Sequence, residues 1–155
     1  MTIETAYSAF AEAVATALVT AGYLSQPAGL QIDPESLVEP TGEETSVQRS
    51  ATLEKIQTGP VRQILGRPER RWVVERSCRV EMMACGPARA PRLEVDAAAV
   101  AALATLANVA PTLSGACERL TLTGVEDEPV PPNGVSKIFT FTLRVRSGDP
   151  LGTTD

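Results

Sequence analysis

The chain of 155 residues contains no histidine. This absence removes the side chain most often used as a general base or as a ligand for transition metals. Its three cysteines are an odd number without Cys-x-x-Cys spacing, and the glycine motifs of phosphate-binding, dinucleotide-binding and serine-hydrolase sites are missing. The sequence therefore predicts a protein that is not an enzyme and that holds no metal and no cofactor.

Long apolar runs are also missing. No segment reaches the roughly 20 apolar residues that cross a bilayer, and the N-terminus lacks the basic segment of a secretory signal. Aromatic residues make up only 4% of the chain, which disfavours a nucleic-acid-binding module despite the arginines. We expect a cytoplasmic protein without membrane contact. It should form one domain over residues 1–147, followed by a flexible tail, 148–155, that has little to pack against.

What is present is an uneven distribution of charge. Residues 1–48 contain seven acidic side chains and no basic one, whereas residues 49–92 contain ten basic and four acidic ones. Residues 93–155 are again acidic, and the whole chain carries a net charge of −5. Such blocks are either solvated charges clustered by chance or the unlike faces of a molecule that docks head-to-tail against copies of itself.

Periodicity predicts an α+β fold that begins with an amphipathic helix from Ile3 to Ala21, capped by Thr2 and stopped by Gly22. A long acidic loop, with room for one short helical turn, is predicted at 25–48. Alternating apolar residues predict strands at 51–57, 61–65, 70–84, 120–122 and 139–145, with Gly59 and Pro60 breaking the first two apart. The expected architecture is a mostly antiparallel sheet flanked by two main helices, in the order α-β-β-β-α-β-β with a long hairpin loop.

The second main helix is predicted at 97–109, an alanine-rich stretch without any charge. Four of its residues are expected to cover the sheet: Val100, Leu103, Leu106 and Val109. The remaining alanine face should be buried under another element of the chain or against a second subunit.

Residues 124–134 predict the long hairpin loop, in which three acids precede three prolines. Two residues would suffice to reverse the chain, so an extended acidic tip is a candidate contact element. Metal binding by Glu126, Asp127 and Glu128 is not expected, because the spacing is not that of an EF-hand and adjacent loop carboxylates are usually solvated.

This layout resembles the tail terminator proteins of lambda-type long-tailed phages, and related proteins of prophages and gene transfer agents. The resemblance extends over residues 2–146 and is carried by the order of helices and strands. Its most specific part is the closing hairpin, where a strand at Leu120 leads through the acidic loop into Phe139–Val145, which alternates aromatic or aliphatic residues with threonine.

The resemblance implies a structural virion protein that forms a hexameric ring on the head-proximal end of the tail tube. Such a ring ends tube polymerisation and provides the surface that joins the head. The implied partners are further copies of the chain, the tail tube protein and the head–tail connector or neck protein, while genome DNA passes through the lumen without specific binding. The implied location is the virion tail, after assembly in the host cytoplasm.

A closed ring requires a heterologous interface, with two different complementary faces on each subunit. The acidic N-terminal and basic middle blocks are candidates for these faces. From charge and loop position, the candidate interface residues are Arg62, Arg70, Arg71, Glu43, Glu44, Glu126, Asp127 and Glu128.

Two other interpretations stay open at this point. One is a different neck or tail-completion subunit with a similar small fold. The other, from a separate class, is a bacterial ligand-binding or regulatory α+β domain without any role in a virion.

Overall fold

A computed structural model describes residues 1–35, 48–64, 71–85, 90–130 and 134–154. Two helices and a five-stranded sheet make up the fold, which confirms the predicted α+β class. The strands lie in the order β1-β2-β3-β5-β4, with β1 parallel to β2 and every other pair antiparallel. The elements are α1 Ile3–Thr20, β1 Leu30–Ile32, β2 Gln48–Ile64, β3 Arg71–Cys85, α2 Ala90–Val109, β4 Arg119–Val130 and β5 Gly134–Ser147.

Helix α1 forms where the sequence predicts it. The Thr2 side chain accepts a hydrogen bond from the Thr5 backbone N–H at 3.1 Å and so caps the first turn. The helix gives way to Gly22, whose φ of 78° is a left-handed conformation that favours glycine. Phe10 on its buried face packs on Phe141 of β5, with 5.0 Å between the ring centroids.

The sheet is organised around β3, which pairs along its whole length with both β2 and β5. Its alternate apolar residues Val74, Cys78, Val80 and Met82 are buried in the core, as predicted. Helices α1 and α2 both pack on this face, which we call the covered face. Successive side chains of a strand point to opposite sides of the sheet, so the residues of β3 and β5 that alternate with those of the covered face point to the other side. We call that side the polar face.

Strands β1 and β2 both differ from the prediction. Strand β1 lies within the stretch predicted as an acidic loop, which also contains the short helical turn allowed for it, Pro27–Gly29, and residues 48–64 form one strand rather than two. Gly59 and Pro60 fall within a register irregularity between Thr58 and Val61, and a second lies between Lys55 and Gln57. A bulge accommodates a proline because the local ladder is already interrupted there. The predicted break is therefore an irregularity in a continuous strand.

The predicted long hairpin loop is also wrong. Strand β4 continues to Val130 and β5 begins at Gly134, so most of the expected loop is paired β-structure. An irregularity between Leu122 and Gly124 shifts the register of the two strands. Beyond it, Glu126 lies opposite Ile138 and belongs to the polar face.

Helix α2 begins at Ala90, seven residues before the expected start. Ala99, Leu103 and Leu106 are buried against the sheet, whereas Val109 is 78% exposed and does not cover it as predicted. Of the two expected ways to bury the alanine face, burial under another element of the chain is not found among the described residues, and burial against a second subunit stays a prediction. This face stays exposed at Ala97, Ala98, Ala101, Ala104, Thr105 and Asn108.

Residues 148–154, here called the C-terminal turn, fold back onto the start of α1. The Ile3 backbone N–H donates to the Gly152 carbonyl at 2.8 Å. Gly152 is buried, and a Cβ at this position would come within 3.1 Å of the Ile3 side chain. The expectation that this tail has little to pack against is therefore wrong, while its flexibility stays a prediction.

Candidate assembly surfaces

The polar face carries ion pairs between neighbouring strands. Antiparallel register places Glu75 opposite Arg144, and their side chains meet at 3.0 Å. Glu54 of β2 lies opposite Arg79 of β3, again with 3.0 Å between nitrogen and oxygen. Half-exposed pairs of this kind contribute little to stability, roughly 0–1 kcal/mol each. These ion pairs therefore add little to the free energy of unfolding, and their main effect is to place charges at fixed positions on the surface.

The charges are also sorted along the strands. One end of the sheet is rich in arginine, and the described arginines on its polar face are Arg71, Arg119, Arg144 and Arg146. The opposite end carries Glu126, Asp127 and Glu128 on β4. We call these the arginine end and the acidic end. Several of these charges have partners close by: Arg146 forms two hydrogen bonds to Glu118, at 3.0 and 3.1 Å, and Asp127 pairs with Lys137 at 3.1 Å.

The two ends are too far apart to neutralise each other within one chain. Along β5, Arg144 lies six residues from Ile138, the partner of Glu126, and Arg146 lies ten residues from Ser136, the partner of Glu128. At about 3.3 Å per residue, the separation is roughly 20–33 Å, more than twice the Debye length of about 8 Å at physiological salt. Glu75 and Glu118 offset part of the positive charge at the arginine end, and Arg49 and Lys137 offset part of the negative charge at the acidic end, so each end keeps a partial excess of one sign. A second copy docked end to end could bring the two charge groups together.

The predicted interface residues fall on these two ends where the structure describes them. Arg71 begins β3, and Arg62 lies opposite Val73 on β2, with its side chain outside the described part. Glu126, Asp127 and Glu128 are exposed on β4, where Glu126 and Glu128 belong to the polar face and Asp127 to the covered face. Arg70, Glu43 and Glu44 lie outside the described residues.

The same acids have a second physical role, because β4 is an edge strand. An edge presents unpaired backbone groups that invite pairing with another chain, and charged side chains and proline discourage such pairing. Pro129 follows the three acids on this edge. The acidic end therefore disfavours sheet extension through this part of β4, and it favours contact through side chains.

A polar cluster that the sequence analysis missed lies between α1 and the sheet. The Glu4 carboxylate accepts hydrogen bonds from Arg76 at 2.7 Å and from Lys55 at 3.3 Å. The Tyr7 hydroxyl donates to Asp33 at 2.9 Å, and the Lys55 ammonium lies 4.9 Å from the Tyr7 ring centroid. The hydrogen bond from Arg76 lowers the pKa of Glu4, and burial raises the pKa of Tyr7.

The strand period contained a signal for this cluster. Arg76 occupies the same alternate positions as Val74 and Cys78, so it points to the covered face, where only 11% of its side chain is exposed. Its partner Glu4 belongs to the acidic N-terminal block. The acidic and basic blocks of the sequence are thus partly paired inside the chain, and the ends of the sheet describe the charge separation better than the blocks do.

The two thiols that the structure describes are protected. Burial raises the pKa of Cys78 to about 12 and that of Cys117 to about 11, so both are protonated at neutral pH. Within the described ranges, no three metal-binding side chains come together. In the same part of the chain, neither helix is long and apolar enough to span a bilayer.

A cavity of about 590 Å³ opens between α2 and the sheet near the acidic end. Its described lining is mainly apolar, with one ion pair, Asp127–Lys137, at its side. Cavities of this volume are typical of ligand or side-chain binding sites. The lining residues include Met82, Ala84, Val100, Ala101 and Val135.

A scan against protein-family models found no match to this chain, and a search of curated proteins found none either. The likeness to tail terminators is therefore a resemblance of layout and stands as a hypothesis.

Proposed function

We propose that the chain is the subunit of a homo-oligomeric ring that acts as a phage tail terminator. In this proposal a ring, hexameric as the resemblance implies, caps the head-proximal end of the tail tube. It stops tube polymerisation and offers the surface to which the head connector binds. The chain has no catalytic role in this proposal, and its partners are further copies of itself, the tube protein and the connector.

One observation carries the proposal: among the described residues, arginines outnumber acids at one end of the sheet, and acids outnumber basic residues at the other. A heterologous interface needs two unlike surfaces on each subunit, placed so that one copy's first surface meets the next copy's second. Opposite charge steers such an encounter and disfavours pairing of two like ends. The exposed, uncharged face of α2 adds apolar surface of the kind that subunit contacts bury.

The first test is assembly of the purified protein. Light scattering and negative-stain microscopy should show rings, either in solution or after addition of tail tubes. A protein that stays monomeric at every concentration and ignores tail tubes would contradict the proposal. Rings that form but never bind tubes would indicate another neck subunit instead.

The second test is charge reversal at the two ends. Arg70→Glu with Arg71→Glu, and separately Glu126→Lys with Glu128→Lys, should each weaken the ring, because each places like charges across the interface. Combining all four changes should restore part of the assembly, since the attraction is then re-established with the signs exchanged. Glu12→Lys, an exposed acid on α1 away from both ends, is the matched control and should leave the oligomer mass unchanged. An unchanged mass in both reversed variants would contradict the assignment of these residues.

The lumen is a further element of the proposal. A channel that passes DNA should not bind phosphate, so we expect acidic groups to line it and the arginines to face neighbouring subunits. Assembled rings should therefore retain no duplex DNA at physiological salt in a filter-binding assay. Retention by rings, abolished by reversal of Arg71, would place the arginines in the lumen instead.

A second candidate function is favoured by the cavity beside α2. A ligand-binding or regulatory domain would use it for a small apolar molecule. This function predicts a monomer whose melting temperature rises with such a ligand, a result that the ring proposal does not predict.

A further inference from the structure

The C-terminal turn presents two apolar side chains at its tip. Pro150 and Leu151 are exposed, and 72% of Leu151 is accessible to solvent. Together the two side chains form a small apolar patch that a contact with another molecule would bury.

The turn is also held in one shape. The Asp149 carboxylate accepts hydrogen bonds from the Leu151 backbone N–H at 2.7 Å and from the Thr153 N–H at 3.2 Å. It also accepts one from the Thr153 hydroxyl at 2.6 Å, and this bond lowers the pKa of Asp149. The Gly148 N–H donates to the Thr154 carbonyl at 3.1 Å and closes the base of the turn. A tip ordered before it binds loses less conformational entropy on binding.

The turn and the cavity lie at opposite ends of the molecule. Gly152 contacts Ile3 and lies next to Val74, so the turn belongs to the arginine end. The cavity is lined by Ala84 and Val135, which pair with each other near the acidic end. An apolar knob and an apolar cavity on opposite ends cannot meet within one chain, but they can meet between neighbours in a head-to-tail row.

We propose that the Pro150–Leu151 tip of one copy inserts into the cavity beside α2 of the next copy. This inference rests on the proposed ring and names the contact that closes it. The occupant is a second copy rather than a free ligand for two reasons. The tip is an exposed, ordered apolar knob, and the charges of the two ends attract in the same head-to-tail orientation. The cavity of about 590 Å³ has room for both residues of the tip.

Two single substitutions test the contact from its two sides. Leu151→Asp should raise the concentration at which half the protein is assembled by at least tenfold, because it would place a carboxylate in an apolar cavity. Ala101→Trp, which narrows the cavity from its exposed wall, should do the same. Leu151→Met keeps the apolar character and should assemble like the natural chain. Thr16→Trp, on the exposed side of α1 and not lining the cavity, is the matched control and should assemble like the natural chain.

Cross-linking identifies the pairing directly. In a Cys85→Ser background, the double variant Leu151→Cys with Ala101→Cys should give a ladder of oligomers with a short bis-maleimide. Each single cysteine variant should give no ladder. Melting temperatures close to that of the natural chain would show that the variants fold, as expected for exposed positions.

The outcomes separate this inference from the function on which it rests. If the natural chain forms rings, while Leu151→Asp assembles normally and the double variant does not cross-link, the contact is refuted and the ring proposal stands. If the natural chain is monomeric with and without tail tubes, both are refuted. Binding of the apolar dye 8-anilinonaphthalene-1-sulfonate by that monomer, lost in Ala101→Trp, would then assign the cavity to a small molecule.

Discussion

The two faces of the sheet are built from alternate residues of the same strands, yet they have different physical roles. On β5, Phe139, Phe141, Leu143 and Val145 are fully buried on the covered face. The residues between them on the polar face, Thr140, Thr142 and Arg144, are only partly buried. The covered face holds the main apolar core, whereas the polar face carries ion pairs beside three buried apolar residues, Val73, Met83 and Ile138. Changes to the two faces should therefore have separable effects.

The largest difference is expected between two neighbours on β5. Phe141→Ala should lower the free energy of unfolding by about 3–5 kcal/mol, because it leaves a cavity beneath Phe10. Thr142→Ala, one residue further on the polar face, should change it by no more than about 0.5 kcal/mol. Urea unfolding of both variants measures the difference. If both variants lost the same free energy of unfolding, side chains on the polar face would stabilise the fold as much as those of the core.

A smaller effect is expected where a charge lies on the covered face. Glu4→Gln should lower the free energy of unfolding by about 1 kcal/mol at neutral pH, because it weakens the contact with a mostly buried arginine, Arg76. The lowered pKa of Glu4 sets the pH dependence. Its contribution is full above the ordinary glutamate pKa of 4.5 and is lost as the pH falls through the lower value in the folded state.

Unfolding of the natural chain and of the Glu4→Gln variant across this pH range measures that contribution. The two curves should converge in acid. A difference that persists at low pH would show that the substitution acts through packing rather than through charge.

The smallest effect is expected on the polar face. A double-mutant cycle with Glu75→Ala and Arg144→Ala should give a coupling energy below about 1 kcal/mol that fades as salt rises, because both side chains are partly solvated. Chemical unfolding at low and high salt measures it. A coupling well above this value, insensitive to salt, would mean that the pair is shielded from solvent, as it would be if another subunit covered this face.

Parts of the fold could be predicted because a local rule decides them. Thr2 caps α1 since its side chain reaches an N–H three residues on, and the alternation along β3 and β5 follows from the pleat. The break at Gly59 and Pro60 and the long loop at 124–134 were predicted from turn-forming residues. Both were wrong because each strand has a long neighbour in register, and the ladder continues through an irregularity.

The charged surfaces, too, could be predicted only in part. The sequence shows which residues are charged, but the acidic and basic blocks of the sequence do not correspond to separate surfaces of the folded chain. Glu4 and Arg76 are 72 positions apart and form an ion pair at 2.7 Å. Conversely, Glu126 and Glu128 reach the polar face only because the register shifts after Leu122. A one-residue change of register moves a side chain to the other face, and local composition does not report it.

The sequence by itself determined the α+β class, the capped amphipathic helix and the core face of the central strands, since these depend on periodicities within single segments. Only the tertiary structure decided that the C-terminal turn returns to Ile3, that α2 leaves its alanine face exposed, and that arginines and acids gather at opposite ends of one sheet. These features depend on which distant segments pair and in what register. That choice is made by the free energy of the whole fold rather than by any one stretch of the chain.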